Sequence, residues 1–262
     1  MPLLLFFADS VYTGGMAVKN RMQTTFSASG ESVRQYMVAL VVSAVTVWLI
    51  YRYGAVRYGV EGLSTLNKSL ATSTLFLLGI VLLLGPLSRL FTIFDHFLKY
   101  RKELGIVTFF TGLFHVYLSM FPLARRGPFG FYQSQPLSAY AGLTGLVIMF
   151  LLLIFSVGAV ERLLGTRLWW KLQYWGARLA FGASAFHFVV LKYQGMVQWF
   201  GDRGAGGTQG MLWLPPISLL AAVFAVFVLV VRLSELFGPR AARVITQLSF
   251  LAATALTVWL FI

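Results

Sequence analysis

The chain has 262 residues, of which 58% are hydrophobic and 11% are charged. Soluble domains carry about 25% charged residues, so this composition excludes an ordinary soluble domain and is typical of an integral membrane protein. The sequence contains no cysteine, which excludes disulfides, iron–sulfur clusters and thioether-attached haem. The net charge of +13 does not indicate nucleic acid as a partner, because the basic residues lie between apolar segments, where they orient helices in a lipid membrane.

Seven apolar stretches follow one another along the chain. Continuously apolar runs of about 17 residues or more predict membrane-spanning helices, because strands in lipid must close into barrels with alternating patterns. The fold class is therefore predicted to be all-α, a polytopic helical bundle with about seven transmembrane helices over residues 36–262. Residues 1–35 are predicted to form a cytoplasmic or interfacial segment rather than a cleaved signal peptide. The predicted helices cover about 36–51, 70–87, 104–121, 137–160, 172–191, 212–231 and 244–262.

The distribution of Lys and Arg predicts the orientation of the bundle. The amino-terminal side and the connectors on the same side of these helices carry 13 of the 21 basic residues, and the opposite side carries 7. Since basic residues concentrate on the cytoplasmic side, the amino terminus is predicted to be cytoplasmic and the carboxyl terminus periplasmic. The expected location is a bacterial inner membrane.

The two longer outer connectors differ from the inner ones. Residues 127–136 carry aromatic side chains and proline, and 194–213 are rich in glycine and tryptophan. Aromatic rings suit the lipid–water boundary, and 201–210 are predicted to form a mobile loop. Both a docking surface for a partner and a plain connector fit this composition.

Two of the three histidines, His115 and His187, lie deep inside apolar segments. An ionisable ring in hydrocarbon is costly and usually marks a function. His115 precedes Pro122 by seven residues and His187 precedes Lys192 by five, which places the rings roughly 10 and 8 Å from the outer boundary. Two imidazoles at one level on neighbouring helices are the usual way in which a helical bundle holds b-type haem.

Small side chains precede each histidine on the same helical face. Thr111 and Gly112 lie about one turn before His115, and Ala183 and Ser184 lie about one turn before His187. They provide space for a macrocycle around each ligand. The alternative is that small residues let membrane helices pack closely, each histidine then being a hydrogen-bonded core residue.

Charged and polar groups near the histidines are candidates to bind the acidic edge of a cofactor. Arg178 lies within the fifth predicted helix and either meets a haem propionate or cofactor headgroup or extends to the cytoplasmic interface. Lys192 and Tyr193 are rival propionate partners at the outer edge. His96 stands in a charged connector and is left out of the site.

Several stretches are similar to a known family. They are Arg-Lys-Glu-Leu-Gly-Ile at 101–106 leading to Phe114 and His115, and Trp-Lys-Leu-Gln-Tyr at 170–174 followed by His187. Over about 70–193 the chain resembles the ferric reductase-like transmembrane family, and within it the haem-binding membrane subunit of the periplasmic methionine sulfoxide reductase system. The resemblance implies a haem-binding helical core that carries electrons across a membrane.

The resemblance also implies where this chain departs from its relatives. In that family, two histidines on each of two helices, about 14 residues apart, hold two b haems. Here Arg101 and Gln173 stand 14 residues before His115 and His187. A guanidinium has no available lone pair and an amide binds iron weakly, so one haem b near the outer face is expected. Quinol in the membrane is the natural donor, with flavin at the inner position as the alternative.

The sequence is compatible with three classes of function. The first is a b-haem electron-transfer subunit of an oxidoreductase, without its own substrate-converting site, which serves a periplasmic redox protein or a larger membrane complex. The second is a transporter whose histidines relay protons, although Asp and Glu are confined to connectors. The third is a haem-free scaffold subunit of a membrane complex.

Overall fold

The structure, a computed structural model, describes residues 24–124, 130–204 and 213–262. The chain divides into two units, Met1–Arg34 and Gln35–Ile262. Most of the predicted interfacial segment 1–35, part of the connector 127–136 and most of the loop 201–210 lie outside the described residues. The predicted domain boundary at 35/36 stays a prediction.

The described residues form nine α-helices and two 3₁₀ segments. The long helices contain most of each predicted apolar stretch, and several extend well beyond it. The 3₁₀ segments are Thr92–Tyr100, directly before α3, and Glu235–Phe237, directly after α8. The α-helices are α1 Thr24–Tyr58, α2 Leu63–Leu90, α3 Arg101–Met120, α4 Gly130–Ser134, α5 Pro136–Phe155, α6 Gly158–Leu164, α7 Thr166–Gly204, α8 Ile217–Ser234 and α9 Pro239–Phe261.

Six stretches of helix within the described residues are long and apolar enough to cross a membrane. They comprise α1 from Glu31 onwards, α2, α3 with the 3₁₀ segment before it, α5, α8 with the 3₁₀ segment after it, and α9. The all-α polytopic bundle predicted from the sequence is confirmed. Of the seven predicted spans, 172–191 is not among the six, because Gln173, Arg178 and His187 lower the hydropathy of α7.

Helix α2 lies at the centre of the bundle and packs against α3, α7 and α8. It buries most of its length, and its stretch from Leu75 to Leu84 is apolar all round, which is typical of a helix enclosed by other helices. Its leucines Leu75, Leu78 and Leu82 join a core that also includes Phe109 of α3 and Phe181 of α7. Helix α9, by contrast, leaves most of its apolar side chains exposed, as expected for a lipid-facing helix.

A proline inside α2 is compensated by a side chain from α8. Pro86 has no backbone N–H, so the carbonyl of Leu82, four residues earlier, lacks its helical donor. The Arg232 guanidinium donates a hydrogen bond to that carbonyl. Because an unpaired carbonyl in an apolar core is costly, this contact ties α8 to the end of α2.

Several predicted helix ends differ from the structure. Helix α3 begins at Arg101, so its first turn lies in the predicted connector. The predicted helix 137–160 ends at Phe155, and α6 begins after Ser156 and Val157. Helix α7 has 39 residues and includes 201–204 of the predicted mobile loop. Each difference arises because backbone hydrogen bonding continues or stops independently of the apolar pattern.

Candidate functional site

His115 lies on α3 and His187 lies on α7, and a residue from a neighbouring helix holds each ring. Both side chains are half-buried. Helix α2 packs along α3, and α5 packs along α7. The start of α2 therefore lies beside His115 of α3, and the start of α5 lies beside His187 of α7.

His115 is held by Asn67 of α2. Its Nδ1 lies 2.8 Å from the Asn67 side-chain oxygen and 3.2 Å from the Asn67 backbone oxygen. The Asn67 amide nitrogen donates to the Ser119 hydroxyl at 2.9 Å, and that hydroxyl donates to the His115 carbonyl, also at 2.9 Å. Asn67 is therefore oriented by a closed ring of hydrogen bonds that includes the backbone of His115.

His187 is held in the same manner by Ser138 of α5. Its Nδ1 lies 2.6 Å from the Ser138 backbone oxygen and 3.0 Å from the Ser138 hydroxyl oxygen. The hydroxyl donates to the His187 carbonyl at 3.2 Å. Ser138 is fully buried, so this pairing is shielded from solvent.

These contacts define the same tautomer in both rings. A carbonyl oxygen can only accept a hydrogen bond, so Nδ1 of each imidazole must carry the proton. In the neutral ring, Nε2 then carries the lone pair, which is the form in which histidine binds a metal. Histidine ligands usually donate their other ring nitrogen to a carbonyl or carboxylate in this way, and that hydrogen bond orients the ring. The donor set therefore fits the binding of haem iron, which His115 and His187 would hold.

Two glycines of α5 shape the space around His187. A Cβ on Gly142 would lie 2.8 Å from Nδ1 and 3.0 Å from Cε1 of His187. A Cβ on Gly145 would lie 2.9 Å from the Ser184 hydroxyl oxygen and 3.5 Å from the Ala180 carbonyl. The absence of side chains at both positions lets α7 approach α5 and lets the imidazole lie against the α5 backbone.

The histidines lie at the same end of the bundle. Asn67 near the start of α2 contacts His115 near the end of α3, and both His187 and Lys192 of α7 lie within electrostatic range of His115. Near the opposite end of α2, Arg89 pairs with Glu235, which also pairs with Arg178 of α7. Helices α3 and α7 therefore run in the same direction, and both rings lie towards their second halves.

The small residues before the histidines make helix contacts. Thr111 is buried and bonds to the Val107 carbonyl at 2.9 Å, and a Cβ on Gly112 would lie 3.1 Å from Thr74 of α2. Ser184 lies against Gly145, and Ala183 is half-buried. The contacts of Gly112 and Ser184 favour the alternative in which small residues allow close packing.

The charged candidates separate into two groups. Lys192 is half-buried at the histidine end, within electrostatic range of both rings, and Tyr193 is exposed. Arg178 lies nine residues before His187, about 13 Å along α7. It pairs with Glu235 at 3.3 Å and lies over the Tyr174 ring, 3.2 Å from its centroid. The structure does not bring Arg178 to the histidines.

His96 lies in the 3₁₀ segment before α3. Its side chain is exposed and its ring lies 3.9 Å from the Phe97 ring, measured between centroids. Gln173, at the position of a family histidine, donates to the Leu152 carbonyl at 3.3 Å. Neither residue contacts the imidazole of His115 or His187 in any described hydrogen bond.

The site contains residues that sequence reasoning did not identify. Asn67 and Ser138 lie 48 and 49 residues from the histidines they hold, so no local spacing connects them. The Gly142 and Gly145 pair, with small residues three apart in an apolar helix, is the one signal that could have indicated the close contact of α5 with another helix.

Residues 69–184 match the family described as "Ferric reductase like transmembrane component". The match covers less than half of the chain. It includes His115, Ser138 and Gly142, begins two residues after Asn67 and ends three residues before His187. The matched family implies a membrane electron-transfer role. No curated protein matches the chain, so the finer resemblance to a methionine sulfoxide reductase subunit stays a prediction.

Proposed function

We propose that this protein is a membrane-embedded electron-transfer subunit that holds one b-type haem between His115 and His187, near the outer face of a bacterial inner membrane. The observation that carries this proposal is the shared tautomer of the two rings. Asn67 and Ser138 each accept a hydrogen bond from Nδ1, which leaves the metal-binding lone pair on Nε2 in both cases.

Close packing alone does not require this arrangement. A core histidine is satisfied by any hydrogen bonds that its two nitrogens can make. Here two helices that are distant in sequence provide acceptors at the same ring nitrogen of both residues. Gly142 adds a position where the backbone makes room for the imidazole of His187. Together these features support the proposal that both imidazoles are pre-oriented to bind a metal.

The bound group would supply a one-electron centre in the bilayer. His115 and His187 would bind its iron, and Lys192 would place a positive charge near its acidic edge at the outer end. Tyr193, exposed beside Lys192, is a second candidate for that edge. Thr111, Gly112, Ala183 and Ser184 would set the helix spacing around the ligands.

The residues at the cytoplasmic end of the bundle bear on which electron donor can reach the proposed haem. Arg101 and Gln173 offer no iron ligand there, and they lie roughly 20 Å from the histidines by helix rise. We therefore propose a quinol within the membrane as the donor, with flavin as the alternative. The acceptor would be a redox protein on the periplasmic face or a larger membrane complex.

Alanine variants test the ligand assignment. His115→Ala and His187→Ala, purified as full chains from haem-sufficient cells, should each lose bound haem, measured as the haem-to-chain ratio and the dithionite-reduced α band. The matched control is His96→Ala, which should keep both. Full haem content and an unchanged spectrum in both buried-histidine variants would contradict the proposal.

A further inference from the structure

Four arginines from four helices come together at the end of the bundle opposite the histidines. Three of them form ion pairs with Glu235, directly after α8. The distances to its carboxylate oxygens are 2.8 Å from Arg232, 3.3 Å from Arg178 and 3.4 Å from Arg89. The charge of Arg101, the first residue of α3, interacts with all three arginines and with Glu235. We call these five residues the arginine cluster.

A glycine of α2 locates Arg101 within the arginine cluster. A Cβ placed on Gly85 would lie 3.8 Å from a terminal nitrogen of Arg232 and 3.9 Å from a terminal nitrogen of Arg101. The two guanidinium groups therefore approach the same point beside the α2 backbone. Since Gly85 has no side chain, that point is left open between them.

The charges of the arginine cluster do not balance. Four guanidinium groups, which stay protonated, face one carboxylate among the described ion pairs. The side chains of Arg232 and Arg178 are only 10% and 17% exposed. Excess charge in such a place is costly unless a counter-ion is present, so the cluster is better satisfied by an additional anion than by Glu235 alone.

The donors of Arg232 are also incompletely used. Its two terminal nitrogens donate to the Leu82 carbonyl and to Glu235. Its Nε is buried and, within the described residues, has no hydrogen-bond partner. A buried N–H of a charged group usually has an acceptor, so this atom indicates an additional acceptor near the cluster.

The chemistry of the cluster selects the class of anion. The planar guanidinium fork binds phosphate through paired hydrogen bonds, and basic pockets between transmembrane helices on the cytoplasmic side bind phospholipid headgroups. The end of the bundle that carries the cluster is predicted to be cytoplasmic from the distribution of Lys and Arg. The Arg89 side chain is 69% exposed, so this arginine lies at the surface of the cluster, between its exterior and the more buried arginines.

We propose that Arg101, Arg178 and Arg232, with Arg89 at the entrance, bind a phosphate group at the cytoplasmic end of the bundle. A phospholipid headgroup reaches this level from the surrounding bilayer, and a small soluble phosphate reaches it from the cytoplasm. Both sources present the same tetrahedral anion to the guanidinium groups. The site lies about 13 Å along α7 from His187 and is separate from the proposed haem site.

Native mass spectrometry of the full chain tests this proposal. The protein is placed in nanodiscs of phosphatidylcholine with or without phosphatidylglycerol, and retained lipid is counted. We expect one tightly held phosphatidylglycerol per chain, with affinity reduced about tenfold to a hundredfold in the double variant Arg101→Leu, Arg178→Leu. In phosphatidylcholine alone, saturable binding of inorganic phosphate that the same variant abolishes would assign the site to a soluble phosphate.

Two further variants separate site binding from general attraction and from misfolding. The double variant Arg162→Leu, Arg167→Leu removes the same charge from exposed positions and should retain the lipid. Gly85→Leu keeps all four arginines but fills the point between Arg101 and Arg232, and it should reduce binding while near-ultraviolet circular dichroism stays unchanged. Equal losses in both double variants, or no saturable binding of either probe by the wild type, would overturn the proposal.

Discussion

The imidazole of His115 donates from Nδ1 to the side-chain oxygen of Asn67 at 2.8 Å, and this contact joins the start of α2 to the end of α3. Asn67 also accepts through its backbone oxygen, at the longer distance of 3.2 Å. The side chain is therefore the closer of two acceptors for the same proton. At His187 the order is reversed, because the backbone oxygen of Ser138 is nearer than its hydroxyl.

This difference predicts unequal effects of two substitutions. Asn67→Leu removes the nearer acceptor of His115, and haem affinity should fall about tenfold to a hundredfold, the usual effect of losing a hydrogen bond that orients a ligand. Ser138→Ala leaves the 2.6 Å backbone acceptor of His187 in place and should change affinity much less. Haem titration of the apoprotein measures both. Equal affinities in the two variants would contradict the proposed role of Asn67.

The close contact of Gly142 with His187 gives a second prediction. Gly142→Ala places a Cβ 2.8 Å from Nδ1, so the imidazole must move away from Ser138. We expect reduced haem content and a shifted α band in the reduced spectrum. Gly182→Ala, in α7 itself, meets nothing within 4 Å and serves as the matched control with wild-type haem content. An unaltered haem content and spectrum in Gly142→Ala would contradict the proposed role of His187 as a haem ligand held against α5.

The sequence identified the two histidines because ionisable rings are rare in apolar segments. It could not identify Asn67 and Ser138, because pairing across 48 and 49 residues depends on how helices pack. The same limit applies to Arg178, whose partner Glu235 is 57 residues away. The sequence predicted the helix class and the core of most helices, since these follow from local composition. It did not predict the length of α7, where the helix continues past the polar residues that end the apolar run.

The contact between Arg232 and the Leu82 carbonyl predicts a coupling with Pro86. Arg232→Met leaves that carbonyl without a donor and should lower the free energy of unfolding by about 1–3 kcal/mol. Pro86→Ala restores a helical N–H to the same carbonyl, so Arg232→Met should cost less in that background. Thermal or denaturant unfolding in detergent gives the double-mutant cycle. Arg89→Met, which removes an exposed ion pair, should cost at most about 1 kcal/mol. Simple additivity of Arg232→Met and Pro86→Ala would contradict the compensation.

The orientation of the bundle predicts opposite labelling of two exposed positions. The natural chain has no cysteine, so single substitutions can be labelled without background. Val197→Cys on α7 lies beyond the histidine level and should react with an impermeant maleimide from the periplasmic side. Leu163→Cys on α6, 85% exposed, should react only after the inner face is made accessible. The reverse pattern would invert the predicted topology and place the histidines near the cytoplasm.

The central claim is that two imidazoles with the same tautomer hold one haem. The most direct measurement is electron paramagnetic resonance of the purified oxidised protein, combined with a haem determination per chain. The account predicts a low-spin ferric signal typical of two histidine ligands, at about one haem per chain. A preparation from haem-sufficient cells that contains no haem, or a purely high-spin signal, would contradict it.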